Sequence, residues 1–253
     1  MNLFDIKDRK AIVTGATRGL GYGMAEGLME AGAEVVIVGT TDKVKKIAED
    51  FCNKGYKCHG VVCDLSNRLE LNEKFSKMIN LLGGHLDIFI NGAGVQRRHF
   101  CEDFPMDDWD DVIEVNLTAA FELAQLSGRQ FIKQKSKGKI ILVASMLTFF
   151  GGYTVPAYAA SKGGIAQLTK ALSNEWMSKG INVNAIAPGY MDTDMNSALM
   201  NDNKRNDEIL SRIPAKRWGT ADDMKGLTIF LSSDASDYIS GAVITCDGGY
   251  LCR

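Results

Sequence analysis

The stretch Lys10-Ala11-Ile12-Val13-Thr14-Gly15-Ala16-Thr17-Arg18-Gly19-Leu20-Gly21 passes from a short β-rich run into a glycine turn, and helix-forming sequence continues from it to Ala31. Strand, glycine turn and helix in that order are the parts of a dinucleotide site. Glycines let the backbone approach a pyrophosphate, and the free N–H groups at a helix start face its negative charge. The spacing here is Gly-x-x-x-Gly-x-Gly, not Gly-x-Gly-x-x-Gly, and a merely tight strand-to-helix turn is the competing reading.

Working outward, the alternation continues to the C-terminus. Strand-like runs at 34–38, 57–63, 86–90, 139–144, 181–187 and 242–246 alternate with helix-like segments at 42–54, 67–82, 107–135, 157–178 and 221–231. The pattern predicts an α/β fold: a single-domain Rossmann-type doubly wound parallel sheet over 1–253, with helices on both faces and both dinucleotide binding and catalysis in the one domain. The segment 194–212 is polar, rich in Met and Asn, and reads as irregular. It is either a substrate lid, spanning about 190–215, or a surface excursion.

The totals narrow the function. A chain of 253 residues that is 45% hydrophobic is long enough to bury a full core. With 29 basic and 31 acidic residues and a net charge of −2, no basic field draws it to nucleic acid or an anionic membrane. Six cysteines without a Cys-x-x-Cys pair and three histidines without ligand spacing point to free thiols and no metal. The N-terminus carries charges where a signal peptide needs an apolar run, and the longest apolar stretch, 140–150, is too short for a bilayer. These features lead us to expect a cytoplasmic protein acting on a small molecule.

Tyr158-Ala159-Ala160-Ser161-Lys162 is the second focus. On a helix, four residues of spacing bring the phenol of Tyr158 and the ammonium of Lys162 onto one face. A neighbouring cation stabilises a phenolate, which fits Tyr158 for proton transfer; an ordinary amphipathic helix with a surface lysine would look the same. Ser145 is delivered by the 139–144 strand to the edge where open α/β sheets bind ligands. It lacks the flanking glycines of a nucleophile elbow and is cast as a hydrogen-bond donor. Asn116, among apolar neighbours, either hydrogen-bonds or faces solvent.

For the cofactor, Gly39-Thr40-Thr41 ends the second strand without the acid that usually meets the ribose of NAD. Arg18 and the threonine hydroxyls suit a 2′-phosphate, a lean toward NADP; otherwise Arg18 is solvated and Asp42 folds back to the ribose. Asp64, followed by Leu65, either receives the adenine amine or caps the next helix. Asn91-Gly92-Ala93-Gly94 is a small-residue turn on which a flat cofactor could lie.

In order, Thr14-Gly15-x-x-x-Gly19-x-Gly21, Asn91-Gly92-Ala93-Gly94, Asn116, Ser145, Tyr158-x-x-x-Lys162, Pro188-Gly189 and Asp247-Gly248-Gly249 resemble the short-chain dehydrogenase/reductase family over essentially the whole chain. Gly92 departs from the asparagine many members carry. Within the family, Gln96-Arg97-Arg98, Ala144-Ser145-Met146-Leu147, Asn174-Glu175-Trp176, Ala187-Pro188-Gly189-Tyr190-Met191 and Arg212-Ile213-Pro214-Ala215-x-Arg217-Trp218-Gly219 are similar to the sugar-acid branch.

The resemblance implies hydride transfer between a nicotinamide cofactor and a hydroxyl or keto group of a sugar acid of the 2-deoxygluconate, 2-keto-3-deoxygluconate or gluconate type. It assigns catalysis to Asn116, Ser145, Tyr158 and Lys162, with Asn116 anchoring a water beyond Lys162. It places the cofactor on Gly15, Thr17, Arg18, Gly19, Leu20, Gly21, Thr40, Asp64, Leu65, Asn91, Gly92, Ala93, Tyr158, Lys162, Pro188, Gly189 and Thr193. Branch members usually use NAD, against the residue-level lean to NADP. Substrate candidates are Met146, Tyr190 and the arginines Arg97, Arg98, Arg217 and Arg253, the last if it reaches a neighbouring subunit; each arginine could equally be a surface ion pair. The family also implies a homotetramer. A 3-oxoacyl-thioester (acyl carrier protein) reductase and, remotely, a non-catalytic nicotinamide-binding sensor or scaffold are the alternatives.

Overall fold

A computed structural model describes residues 2–252. Seven strands, β1 (Lys10–Thr14), β2 (Glu34–Gly39), β3 (Cys58–Val62), β4 (Ile88–Asn91), β5 (Gly138–Val143), β6 (Ile181–Pro188) and β7 (Val243–Cys246), form one sheet in the order β3-β2-β1-β4-β5-β6-β7. Every pairing is parallel. Parallel strands need crossovers, and the helices that supply them cover both faces. This explains why the central strands read as unbroken apolar runs: β4, β5 and β6 are buried along their whole length.

Alternate residues feed two cores. Ile12, Val36 and Val38 join one, against α3 (Arg68–Leu81), α5 (Ala119–Gln134) and α6 (Pro156–Trp176). Ala11, Val13, Val35 and Ile37 join the other, against α1 (Gly19–Glu30), α2 (Lys43–Asn53) and α9 (Lys225–Ser232). Each fully buried Val, Leu or Ile adds about 1.5–3 kcal/mol relative to exposure. The strand order reverses between β1 and β4, opening a crevice at their C-terminal ends where such sheets take ligands.

Two segments differ from the sequence expectation. The helix expected over 107–135 is interrupted: α4 (Met106–Ile113) runs into a single π turn, Glu114–Thr118, before α5. A π turn widens the helix at one point and here directs Asn116 inward, fully buried, so the solvent-facing alternative fails. The segment expected to be irregular, 194–212, contains a short helix α7 (Ser197–Met200) and a full one, α8 (Asn203–Arg212). Asp202 starts α8 by accepting a hydrogen bond from the Arg205 N–H at 3.2 Å, an N-cap concealed in a run of polar residues.

Candidate active site

The crevice holds a cavity of about 970 Å³, lined by the glycine turn, the ends of β2 to β6, and Tyr158 and Lys162 of α6. At its centre the glycine turn packs against the turn after β4. Thr14 Oγ1 donates to Asn91 Oδ1 at 2.9 Å and accepts from Ala93 N at 3.2 Å. Gly15 has φ +66°, and a Cβ there would lie 2.7 Å from Ala93 Cα; one on Gly21 would meet the Gly15 carbonyl. These glycines are therefore demanded by backbone packing as well as by access. At Gly92 a Cβ would stand 2.8 Å from the Thr14 carbonyl, so an asparagine at this position would require the turn to shift.

The cavity fits a dinucleotide. No side chain caps α1, so the N–H groups of its first turn stay open beside the cavity wall formed by Gly19, Leu20 and Gly21. Of the expected cofactor residues, all except Asn91 line the cavity; Asn91 is buried behind it, holding Thr14. Asp64 accepts from Ser66 N at 3.0 Å and Ser66 Oγ at 2.8 Å, a local turn that precedes α3 and leaves the carboxylate at the cavity edge. Asp42 turns to Lys45 at 2.6 Å, is 82% exposed and does not line the cavity. Arg18 makes an exposed pair with Asp194 at 3.0 Å.

The four expected catalytic residues meet at the carboxyl edge of β5. Ser145 follows β5 and starts a short turn: its Oγ accepts from Leu147 N at 3.2 Å, and Thr148 Oγ1 bonds back to Ser145 N and on to the Lys162 carbonyl at 3.0 Å. With Oγ accepting there, the hydroxyl proton turns to the Tyr158 phenol, from which it can swing to a substrate oxygen beside it. Burial raises the Tyr158 phenol; a hydrogen bond from Ser145 and the Arg98 charge draw it back. Lys162 is 3% exposed and donates to the Val143 carbonyl at 2.6 Å. Burial lowers its pKa to about 8, and Nζ sits 5.6 Å from the Tyr158 ring centroid.

Asn116 exchanges two hydrogen bonds with the Val95 backbone, at 2.8 and 3.0 Å, and donates to Ser161 Oγ at 3.1 Å. Ser161 in turn donates to the Tyr158 carbonyl at 2.8 Å. Both amide protons of Asn116 are thus used within the protein, tying the loop after β4 to the first turn of α6. Ser161 stands inside the Tyr158-to-Lys162 stretch yet was given no role on sequence grounds, because a serine on a helix carries no signal until its partner is seen.

A second cavity, of about 640 Å³, adjoins the first and shares Gln96, Arg98, Ser145, Tyr158 and Gly189 with it. Met146 and Tyr190, both expected at the substrate, line it together with Arg205, Glu208, Arg212 and Tyr250. The expected arginines part company here. Arg98 faces both cavities and has no ion pair among the described residues. Arg97 touches the first cavity but pairs with Asp111 at 2.6 Å and Asp108 at 3.5 Å. Arg217 pairs with Asp223 at 2.7 Å, in two hydrogen bonds, and lines neither cavity. Arg253 lies outside the described residues. Arg205, Arg212 and Glu208 were missed because 194–212 was read as irregular and given no face.

A parallel seven-stranded Rossmann sheet, a dinucleotide cleft and a Ser145–Tyr158–Lys162 cluster at its edge place the chain in a class of nicotinamide-dependent oxidoreductases acting on CH–OH groups. Residues 15–251 match a family model described as Enoyl-(Acyl carrier protein) reductase, and the chain belongs to the short-chain dehydrogenase/reductase family. It is 46% identical to a 2-dehydro-3-deoxy-D-gluconate 5-dehydrogenase of Pseudoalteromonas atlantica, over 99% of this chain and 98% of that one. The enzyme of the same name from Escherichia coli K12 is 42% identical, over 100% and 99%. A crystal structure of a gluconate 5-dehydrogenase from Burkholderia cenocepacia J2315, in complex with NADP and tartrate, superposes with a TM-score of 0.95 at 36% identity, covering 100% of this chain and 98% of that one.

Proposed function

We propose that the chain oxidises a hydroxyl of a gluconate-type sugar acid, or reduces the matching ketone, with NADP preferred to NAD. The observation that carries this reading is the junction of the two cavities at Ser145 and Tyr158: one side is shaped and lined for a dinucleotide, the other is walled by unpaired arginines. The names of the similar enzymes, all acting on acids of this kind, support it. The absence of a carboxylate at the end of β2 supports NADP, as does the position of Arg18.

The nicotinamide, when bound, supplies or accepts the hydride. Tyr158 would give its proton to the reacting oxygen in reduction and take it back in oxidation, with Ser145 donating a hydrogen bond to the same oxygen. Lys162, held by the Val143 carbonyl, would place its charge beside the phenol and stabilise the phenolate form. Asn116 would act as a positioning residue, holding the Val95 loop and, through Ser161, the start of α6. Residues 190–215 would close over the substrate; at the start of this segment, residues 190–192 are tied to Gly219 by Asp192 N to Gly219 O at 2.7 Å and Gly219 N to Tyr190 O at 3.0 Å. Exposed Phe121 and Ile132 on α5 support assembly as a homotetramer, and six free cysteines support the cytoplasm. Among the described residues no helix is long and apolar enough to cross a membrane.

The test is nicotinamide reduction by the purified protein with 2-deoxygluconate, 2-keto-3-deoxygluconate and gluconate, each with NAD and NADP. Turnover of one acid is expected. Silence on all three, with cofactor binding intact and reduction of a 3-oxoacyl thioester, would replace this reading with the thioester reductase.

A further inference from the structure

Helix α8 turns one face to the second cavity. Arg205, Glu208, Ile209 and Arg212 stand at i, i+3, i+4 and i+7, the spacing of a single helical stripe, and all four line that cavity. Arg98 enters it from the loop after β4. Among the described residues none of these three guanidinium groups forms an ion pair, nor does Arg129 on the surface of α5, whereas Arg9, Arg18, Arg68, Arg97 and Arg217 all do; what sets the three apart is that they line one cavity. Even Glu208, one turn from both Arg205 and Arg212, pairs with neither.

Arg212 is also held in place without a counter-charge. Arg212 Cζ lies 4.8 Å from the centroid of the Tyr250 ring, a cation–π contact that fixes the group over an aromatic face. Tyr250 in turn packs edge-on against Tyr190 at 5.2 Å. The Arg98 charge is disfavoured first by burial and then by Arg205. Like charges gathered around one cavity repel one another until an anion enters, and a planar guanidinium fork matches a carboxylate.

We infer that Arg205 and Arg212 of α8, facing Arg98, hold the carboxylate of the substrate, so that the acid itself draws α8 onto the active site. This rests on the sugar-acid reading above. It also orients the substrate. The α8 arginines line only the second cavity, and Tyr158 sits at its junction with the first, so an acid held there has its reacting hydroxyl turned toward the nicotinamide side.

The holoenzyme tests this with Arg205→Gln, Arg212→Gln and the double variant, using whichever acid the wild type turns over and the neutral amide of that acid. The wild type is expected to prefer the acid. Each substitution lowers kcat/KM for the acid by about tenfold to a hundredfold, as expected for lost hydrogen bonds to a charged group, lowers it far less for the amide, whose carbonyl accepts only a neutral hydrogen bond, and leaves the cofactor Kd unchanged. Arg205→Lys recovers part of the loss. Added salt depresses acid turnover by the wild type more than by the double variant. A double variant that keeps the wild-type acid-to-amide ratio, or that loses both substrates equally, overturns the inference alone. A wild type that binds cofactor and turns over none of the acids overturns the sugar-acid reading, and this inference with it.

Discussion

Replacing Lys162 with methionine separates what this lysine does for chemistry from what it costs the fold. The side chain is 3% exposed, and its charge is supported by the Val143 carbonyl, with no carboxylate paired to it among the described residues. Its folded pKa, about 8 against an ordinary 10.5, means that between these values the unfolded chain binds a proton the folded chain does not. Stability therefore rises with pH across that window. The penalty is fully present below pH 8 and is lost as pH approaches 10.5. Integrated, it is about 3 kcal/mol at pH 7 and under about 1 kcal/mol at pH 10. Methionine fills a similar volume without a charge, though it leaves the Val143 carbonyl without its partner, at about 1–3 kcal/mol. That second contribution does not change with pH. The unfolding free energy of the cofactor-free wild type, measured against Lys162→Met by urea denaturation, should thus gain about 2 kcal/mol on going from pH 7 to pH 10. The variant should also lose turnover at every pH. A wild-type-minus-variant difference that stays flat from pH 7 to 10 would refute the claim that the lysine is buried as a destabilised cation.

Tyr158→Phe should lower kcat by about a hundredfold to ten-thousandfold with the cofactor Kd within twofold, read by nicotinamide fluorescence; near-normal turnover would remove Tyr158 from the proton path. Gly15→Ala places a Cβ 2.7 Å from Ala93 Cα at φ +66°; a thermal melt should show a loss of more than about 1 kcal/mol, with weaker cofactor binding. Burial pushes the thiols of Cys58 and Cys63 up to about 12 and about 11, while Cys52, Cys101 and Cys252 are exposed. Iodoacetamide at pH 7.5, followed by peptide mass spectrometry, should modify the three exposed thiols and spare the two buried ones.

Much of this arrangement is legible in the chain because it is written in local periodicity. The glycine turn after β1, the unbroken apolar runs and the four-residue spacing of Tyr158 and Lys162 each report a backbone constraint that a single stretch can carry. What escaped reading depends on contacts between distant stretches. Asn116 could not be assigned inside or outside while its helix was taken as regular, because the π turn that directs it inward has no compositional mark. Arg217 looked as available as Arg98 until Asp223 was seen against it. The stripe on α8 obeys helical spacing, but its polar composition obscured the helix: with no apolar face to bury, Arg205, Glu208 and Arg212 resemble a solvated loop unless the cavity opposite them is known.

Two lysines at opposite ends of the sheet show how the same burial serves different ends. Lys139, at the start of β5, is 2% exposed, and its charge is also disfavoured by burial. It is answered by Asp237 at 2.7 Å and Asn182 at 3.1 Å, with the carboxylate held by Lys137 as well. Such a pair is satisfied in the folded state and leaves no proton to spare, so it pins β5 and β6 to the turn before β7 and nothing more. Lys162, beyond the other end of β5, has comparable burial and no ion pair among the described residues. An ammonium in that position lowers its energy by any negative charge that develops nearby, and the phenol of Tyr158, its ring centroid 5.6 Å from Nζ, is a group able to develop one. The unpaired arginines of the second cavity extend the same logic outward to the substrate. Elsewhere an ion pair such as Lys225 among Glu26, Glu30 and Asp222 ties one helix to another. Lys162 and Arg98, which have no such partner among the described residues, stand at the cavities where the strands end. In a parallel sheet this is the edge to which every strand delivers the loop that follows it, so uncompensated groups from distant parts of the chain can be brought to one ligand there.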